Sequence, residues 1–363
     1  MRRDSVIRAE IAALSAYHVQ DAEGFIKLDA MENPFAVPAE LRNGLAQHLA
    51  AAAINRYPDP SASALKDALR RAMGIPDALD ILLGNGSDEI IQMLAMACAR
   101  PGATLLSVEP AFVMFNMIAT FCGLNYVGVP LQADDFALDE QAMLAAIETH
   151  QPALTFIAYP NNPTGNLFDR DALDRVIRAS NGLVVIDEAY FAFSSSSFLD
   201  ELEQYPNVVL MRTVSKLGLA GARLGLLIGK AHWLAEIDKV RLPYNINCFT
   251  QAAAGFLLDH VEHFTRQTAQ LIDERAAMAR GLARLFARHT GATQLPSEAN
   301  FILIRLPAAA QVFAELKARK ILVKNTGASH ALLHDTLRIT IGSPDENAAL
   351  LAALTTILEP RHA

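Results

Sequence analysis

Seven short apolar runs alternate with longer segments of helical period between about residues 60 and 230. Several of these runs are apolar throughout, which is typical of parallel strands that are buried on both faces. Such an alternation predicts an α/β fold, in which helices flank a mainly parallel sheet and connect its strands. The predicted strands are DILLG (80–84), TLLSVEP (104–110), LNYVGVP (124–130), LTFIAYP (154–160), LVVID (183–187), VVLMRT (208–213) and LGLLIG (224–229).

In the last third of the chain the pattern changes. Residues 251–289 form a long amphipathic stretch without proline, which predicts one or two helices between domains. Beyond it lie shorter strand and helix patterns, closing with a helix from Pro344, which predict a smaller α+β domain. We therefore expect an N-terminal segment (1–35) that packs on the small domain or on a partner, a large domain (36–259) and a small C-terminal domain (260–363).

Charge limits the partners of this chain. Its 31 Lys and Arg against 39 Asp and Glu give a net charge of -8, which argues against a nucleic-acid or anionic membrane surface. No apolar run approaches the length that spans a bilayer, and the charges of Arg8 and Glu10 interrupt the N-terminal segment before a secretion signal could form. We expect a cytoplasmic protein that binds small molecules.

The cysteines and histidines form neither a disulfide pattern nor a metal pattern. The three cysteines are scattered and odd in number. His260 and His263 lack the spacing of zinc-binding helices, and His330 with His334 has no third ligand nearby in the sequence. We expect no metal site, and we expect these histidines to be solvated.

Three predicted strands are followed by polar residues that would meet at one edge of the sheet. Asp187 ends LVVID, Asn162 lies in YPNNPTG (159–165), and Lys216 follows VVLMRT. Ligands of open α/β sheets bind at the carboxyl ends of the strands, and a buried charge there needs a partner. A simple turn at Asn162 or a structural ion pair at Asp187 would also explain either segment alone.

The segment LLGNGSDEII (82–91) joins the first predicted strand to a helix. Ser87 and Asp88 would lie at the helix N-terminus, where free backbone N–H groups can bind a phosphate. A dinucleotide site is disfavoured because Glu89 stands where the third glycine of that motif belongs, and the lysine of a P-loop is absent. A simple N-cap is the alternative that this segment alone leaves open.

One chemistry uses all of these groups together. A lysine can hold an aldehyde cofactor as a Schiff base, and a carboxylate can keep the pyridine nitrogen of that cofactor protonated. A helix start, small residues and an arginine can hold its phosphate. We therefore predict pyridoxal 5'-phosphate as the cofactor, with Lys216, Asp187 and Arg223 among the residues that bind it.

An ordered set of motifs along nearly the whole chain resembles the class I/II aminotransferases of fold type I, which depend on pyridoxal 5'-phosphate. Within that family the resemblance is strongest to the members that act on histidinol phosphate. The motifs are KLDAMENP (27–34), RYPDP (56–60), GNGSDE (84–89), EPAFVMF (109–115), YPNNPTG (159–165), VVIDEAY (184–190), TVSKLGLAGARLG (213–225), PYNIN (243–247), NFILIR (300–305) and LRITIG (337–342).

The resemblance implies a role for each residue around the cofactor ring. Lys216 would form the Schiff base and later move a proton between substrate and cofactor carbons. Asp187 would pair with the ring nitrogen, Tyr190 and Asn162 would hydrogen-bond the ring hydroxyl oxygen, and Phe112 would stack on the ring. These are expectations carried over from the family, position by position.

The phosphate end follows from the same resemblance. Ser87, Asp88, Ser215 and Arg223 would hold the phosphate, the first two chiefly through backbone N–H groups. Tyr57 would reach the phosphate bound in a neighbouring subunit. The resemblance therefore implies a homodimer.

Three residues are expected to contact the substrate. Arg338 resembles the family's arginine for substrate anions, and Tyr17 and Lys324 stand where its histidinol-phosphate members place groups near the substrate phosphate. Lys324 replaces an arginine that some members have, so a point charge replaces a planar fork. Asp29 and Met31 stand where the family has asparagines.

The implied reaction is a reversible transamination. L-histidinol phosphate and 2-oxoglutarate would give imidazole-acetol phosphate and L-glutamate in histidine biosynthesis, by a ping-pong mechanism. An aromatic amino-acid aminotransferase on the same scaffold is one alternative. A threonine-phosphate decarboxylase, a lyase that uses the same cofactor, is the alternative from another reaction class.

Overall fold

The computed structural model describes residues 6–16 and 20–359. Within these residues the strands are β1 (Ile26–Leu28), β2 (Asp80–Asn85), β3 (Thr104–Glu109), β4 (Asn125–Pro130), β5 (Leu154–Ala158), β6 (Leu183–Asp187), β7 (Val208–Thr213), β8 (Leu224–Gly229), β9 (Thr293–Gln294), β10 (Phe301–Arg305), β11 (Ile321–Asn325) and β12 (Thr336–Thr340). The helices are α1 (Ala9–Ala12), α2 (Ala39–Ala50), α3 (Ser63–Met73), α4 (Ser87–Cys98), α5 (Met114–Cys122), α6 (Glu140–His150), α7 (Arg170–Ala179), α8 (Ala231–Asp238), α9 (Cys248–Leu258), α10 (Val261–Phe286), α11 (Ala309–Ala318) and α12 (Pro344–Leu358).

The seven predicted strands form one sheet, in the order β2-β8-β7-β6-β5-β3-β4. Five neighbouring strands, from β7 to β4, are parallel, which confirms the α/β class. The exception in this mainly parallel sheet is β8, which runs antiparallel to both β2 and β7. Only residues 214–223, which contain two short 3-10 turns, join β7 to β8. That is too short for the helical crossover that a parallel connection needs.

The central strands of this sheet are covered on both faces. Every residue of β5, β6, β7 and β8 is buried. Two clusters of apolar side chains account for this burial, one on each face of the sheet. A polar group at the end of such a strand therefore leaves water and needs a partner inside the protein.

A second sheet has the order β1-β11-β12-β10-β9 and packs against the last three helices. The amphipathic stretch 251–289 forms two helices, α9 and α10. The strand β1 pairs in parallel with β11, so residues 26–28 of the N-terminal segment belong to the sheet of the C-terminal part. The exact domain limits stay a prediction.

Several helix starts follow from capping side chains. Asp139, Asp169 and Asn247 each accept a hydrogen bond from a backbone N–H in the first turn of α6, α7 and α9. Ser343 and Glu346 form a reciprocal capping box at the start of α12. Each cap satisfies a backbone donor that the helix itself leaves free and is worth about 1 kcal/mol. No helix in the described part of the chain is both long and apolar enough to cross a membrane.

Candidate active site

The carboxyl ends of β5, β6 and β7 open into one cavity of about 250 Å³, here called the first cavity. It lies at the sheet edge where the sequence predicts a site, because the polar residues that follow these strands converge there. Nine of the predicted site residues line it: Ser87, Asp88, Phe112, Asn162, Asp187, Tyr190, Ser215, Lys216 and Arg223.

Asp187, the last residue of β6, is buried at the floor of the first cavity. Among the residues that the structure describes, it accepts one hydrogen bond, from the backbone N–H of Ala189 at 3.0 Å. Burial raises the pKa of this carboxyl to about 7, the charges of Asp88 and Glu188 add to the rise, and Lys216 opposes it. A cation placed in the cavity would stabilise the ionised form.

Lys216 lies in the 3-10 turn that follows β7. Its Nζ donates to the carbonyl oxygen of Ala30 at 3.2 Å. The residue is half-buried and lines the cavity. This burial and, to a smaller extent, the charge of Arg338 together lower the pKa of the amine to about 8. Lys216 therefore has a substantial neutral fraction near physiological pH, which a nucleophilic amine requires.

Two glycines let a helix start and an arginine approach each other at the opposite end of the first cavity. Helix α4 begins after Gly86, which has φ 82° and gives the helix no side-chain cap. A side chain at Gly86 would collide with the Arg223 guanidinium, and one at Gly225 would lie 2.7 Å from the Ser87 nitrogen. Arg223 also lies 3.4 Å from Asp88. Free N–H groups beside a guanidinium are suited to bind an anion.

Glu89 has a structural role in this turn. Its carboxylate accepts hydrogen bonds from the backbone N–H of Asn85 and from the side chain of Asn245. This arrangement fastens the β2–α4 turn to the segment before α9. It explains why an acid stands where a dinucleotide-binding motif would have glycine.

Tyr190, Phe112 and Ser215 complete the wall of the first cavity. Burial raises the pKa of the Tyr190 phenol, whose oxygen lies 3.7 Å from the sulfur of Met31. Phe112 meets Phe115 edge to face, with ring centroids 5.7 Å apart. The Ser215 hydroxyl lies 2.8 Å from that of Thr213. These contacts hold the side chains in place around the cavity.

A second cavity of about 340 Å³ adjoins the first and shares Met31, Phe112 and Asn162 with it. Arg338 and Lys324 line the second cavity but not the first. They are paired in register on β12 and β11, so the two cations lie side by side.

Arg338 connects the two cavities. Its Nη1 donates to the Asn162 side-chain oxygen at 2.5 Å, and its Nη2 donates to the Asp29 carbonyl oxygen at 2.9 Å. The guanidinium carbon also lies 5.3 Å from the centroid of the Phe301 ring. This buried arginine is therefore held in one orientation.

One predicted site residue, Tyr57, does not line either cavity, and another lies outside the described part of the chain. Tyr57 is 80% exposed and stacks on Tyr244 with ring centroids 4.4 Å apart. Tyr17 lies outside the described residues. The roles assigned to both stay predictions.

Sequence reasoning missed several residues of these cavities. Met31 lines both of them with φ 55°, a left-handed conformation that suits the asparagine it replaces better than methionine. Glu109, Tyr126 and His330 line the second cavity. Glu109 ends β3, so the strand-end rule that identified Asp187 could have found it.

The histidines require a correction. The side chain of His334 is 79% exposed, as expected, but those of His263 and His330 are only 17% and 23% exposed. Each of these two lies near a glutamate, Glu40 and Glu109 respectively, because its segment packs against a neighbouring element. Among the described residues no group of three or more His, Cys, Asp or Glu side chains could hold a metal ion.

The family of the chain follows from comparison with known proteins. The family model described as "Aminotransferase class I and II" matches residues 23–354. This chain therefore belongs to the class I and II aminotransferases.

Individual relatives narrow the class. A histidinol-phosphate aminotransferase 2 of Cupriavidus pinatubonensis is 51% identical over 361 residues, which cover 98% of this chain and 97% of the relative. A histidinol-phosphate aminotransferase of Chromobacterium violaceum is 54% identical over 349 residues, covering 96% and 97%. The crystal structure of histidinol-phosphate aminotransferase from Sinorhizobium meliloti in complex with pyridoxal-5'-phosphate is similar at a TM-score of 0.85 and 25% identity, over 98% of each chain. These relatives do not favour the aromatic aminotransferase or the decarboxylase alternative.

Proposed function

We propose that this protein is a pyridoxal-phosphate-dependent aminotransferase that converts L-histidinol phosphate and 2-oxoglutarate into imidazole-acetol phosphate and L-glutamate, in histidine biosynthesis. The observation that carries the proposal is the convergence of Lys216, Asp187 and the α4 N-terminus on the first cavity. The names of the relatives at 51% and 54% identity support the substrate.

The residues of the first cavity fit the cofactor chemically. Asp187 is a buried acid that lacks a cationic partner within hydrogen-bond distance among the described residues, and a protonated ring nitrogen would supply one. Arg223 and the start of α4 offer N–H donors to a phosphate. Phe112 offers a flat apolar wall to a ring. These groups lie around one space, so a single molecule can use all of them.

When bound, pyridoxal phosphate supplies an aldehyde for covalent attachment and a ring that withdraws electrons from the substrate carbon. Lys216 is the residue that would hold the aldehyde. Its pKa of about 8 lets Nζ take up and return a proton near neutral pH. Asp187 would keep its negative charge beside the ring nitrogen. Asn162 and Tyr190 would orient the ring through its hydroxyl oxygen.

Arg338 and Lys324 would bind the anionic parts of both substrates. One site must accept a phosphate monoester in one half of the reaction and a dicarboxylate in the other. Two neighbouring cations in the second cavity suit both substrates, because they can pair with the negative charges of a phosphate or of a carboxylate. Arg338 also contacts Asn162, which lines both cavities, so it can orient a substrate relative to the cofactor.

We also propose a homodimer in which Tyr57 reaches the phosphate bound by the partner. Tyr57 and Tyr244 stack on the surface, and Ile54, Leu242 and Phe249 are 72%, 71% and 47% exposed. So many large apolar side chains on one chain suit an interface with a second copy. Sedimentation equilibrium tests the proposal, and a fully active monomer would contradict it.

We also propose a cytoplasmic location and the limits of the domains. The free cysteines Cys98, Cys122 and Cys248 suit the reducing cytoplasm. A small domain of residues 260–363, extended by the N-terminal segment 1–35, agrees with the pairing of β1 with β11. Limited proteolysis with identification of the first cut sites would test the limits.

A single-turnover half-reaction tests the proposed function. The purified holoenzyme is mixed separately with L-histidinol phosphate, glutamate, phenylalanine and tyrosine, and the visible absorbance of the lysine-bound cofactor is followed. We expect rapid loss of this absorbance with the first two amines and slow loss with the aromatic amino acids. Faster reaction with the aromatic amino acids would overturn the histidine-pathway assignment but not the aminotransferase family.

The decarboxylase alternative has its own test. O-phosphothreonine is added to the same holoenzyme, and release of carbon dioxide is measured. We expect none above the rate without enzyme. Catalytic release would replace the proposed transamination with a lyase reaction.

A further inference from the structure

The second cavity is lined by two chemically different groups of side chains. Lys324 and Arg338 are its cations. Glu109, Tyr126 and His330 form a second group, in which His330 lies near Glu109. The proposed function uses the cations for anionic substrate groups and leaves the second group without a role.

Glu109 is held in place by the sheet beneath it. It is the last residue of β3, and its side chain lies across Gly128 of β4, where an added side chain would collide with the carboxyl group. Tyr126 lies beside this carboxylate, and burial together with the Glu109 charge raises the pKa of the phenol. The carboxylate therefore has a fixed position, and Tyr126 stays a neutral donor.

His330 lies on the other side of the Glu109 carboxylate but does not accept or donate a hydrogen bond to it. Its Nδ1 accepts the backbone N–H of Leu332 at 3.2 Å, which leaves the proton of a neutral ring on Nε2. Nε2 lies 3.8 Å from the Glu109 Oε2, which is beyond hydrogen-bond distance. A carboxylate has about four acceptor positions, so Glu109 keeps room for another donor.

We propose that Glu109 is a specificity-determining residue, which accepts a hydrogen bond from the ring N–H of an imidazole substrate in the second cavity. This inference rests on the proposed function and deepens it. The substrate amine would lie at the wall shared with the first cavity, which Met31, Phe112 and Asn162 form. From there the anionic group reaches Lys324 and Arg338, and the ring reaches Glu109.

This arrangement separates an imidazole from a phenyl ring of nearly the same shape. A phenyl ring has no N–H, so it would cover the Glu109 carboxylate without pairing with it. The side chain of Glu109 is 31% exposed, and water can therefore compensate part of the loss. For this reason we expect a discrimination of about tenfold rather than the hundredfold or more of a fully buried site.

A purely structural role for Glu109 would leave a different signature. In that case the acid only ties the end of β3 to the loop around His330, and its loss would affect every substrate alike. The test must therefore compare substrates on one variant rather than measure one activity.

The variant is Glu109→Gln, which keeps the shape of the side chain and removes its negative charge. Half-reaction rates of the holoenzyme are measured with L-histidinol phosphate, with L-phenylalaninol phosphate and with glutamate. We expect the rate constant over dissociation constant to fall about tenfold for histidinol phosphate and to stay within about twofold for the other two. Glu109→Asp keeps the negative charge but moves it away from the substrate ring, because the side chain is shorter. Its rate constant over dissociation constant for histidinol phosphate should lie between those of the wild type and Glu109→Gln. Glu148→Gln, on the exposed face of α6, is the matched control.

Each result decides the question. A wild-type protein that does not react with histidinol phosphate would overturn the proposed function and this inference with it. If the wild type reacts and Glu109→Gln loses activity equally with all three amines, or with none, only the role of Glu109 fails. A selective loss with histidinol phosphate, partly restored in Glu109→Asp, supports it.

Discussion

The first and second cavities share a wall but are assembled differently. The first is built chiefly from residues that follow strands of the large sheet, with Asp187 and Lys216 at the ends of β6 and β7. The second combines the end of β3 with Lys324 and Arg338 from the small sheet. The first cavity, where the reaction is proposed to occur, therefore rests on one sheet. The second cavity, where the substrate is proposed to be selected, depends on how two sheets meet. Changes in the first cavity should abolish the reaction, and changes in the second should weaken substrate binding or alter which substrate reacts.

Lys216→Ala should have the largest effect. It removes the amine that we propose attaches the cofactor and carries the proton, so turnover should fall by about 10⁴-fold or more. Steady-state kcat with histidinol phosphate and 2-oxoglutarate measures this. Lys324→Ala is the control, because it removes a lysine of the second cavity and should keep the visible absorbance of the bound cofactor. A Lys216→Ala variant whose kcat is within tenfold of the wild-type value would contradict the proposed catalytic role of the first cavity.

Arg338→Ala should have the next largest effect and should separate the cavities. Loss of this buried cation should lower kcat/KM by about a hundredfold for both histidinol phosphate and glutamate, since we propose that it binds their anionic groups. The visible absorbance of the bound cofactor should stay, because Arg338 does not line the first cavity. Arg338→Lys should recover part of the rate. An unchanged rate in Arg338→Ala would end its proposed role.

The pH dependence of stability tests the environment of Asp187 in the cofactor-free protein. Its pKa of about 7 lies above the ordinary 3.8, so the folded protein binds a proton that the unfolded chain releases. This contribution to the free energy of unfolding is complete below about pH 4 and is lost as pH rises to 7. It should cost about 2 kcal/mol between pH 5 and 7.

Urea unfolding of cofactor-free wild type and Asp187→Asn at both pH values measures this loss. The variant cannot ionise at this position, so its stability should fall less over the same interval. Equal losses in the two proteins would show that Asp187 is not the responsible group. Holoenzyme is the second control, since a cation beside Asp187 should reduce the wild-type loss.

Lys324→Arg should have the smallest effect. A planar fork in place of a point charge should lower KM for histidinol phosphate by about threefold and leave kcat nearly unchanged. Steady-state kinetics over a range of substrate concentrations measures it, and glutamate serves as the comparison substrate. A large change in kcat would mean that Lys324 also acts on the chemistry.

The same contrast explains what the sequence can predict. Asp187, Lys216 and the start of α4 are found from sequence because each follows a recognisable apolar strand, and parallel strand ends meet at one edge. The antiparallel β8 was missed because its apolar pattern is the same in either direction. The short connection after Lys216 was the available signal.

The second cavity depends on information that is not local. Lys324 and Arg338 are neighbours because of the register between β11 and β12, and the sequence of neither strand alone specifies this register. Met31 reaches both cavities because β1 joins the small sheet from the other end of the chain. Resemblance to a family suggested the two cations, but it did not suggest Glu109.

The covalent attachment point is the central claim, and one measurement tests it directly. The holoenzyme is reduced with borohydride, digested and analysed by mass spectrometry, which identifies the lysine that carries the cofactor. The account predicts a single modified peptide, with the added mass on Lys216. Modification of another lysine, or none in a protein that catalyses transamination, would contradict it.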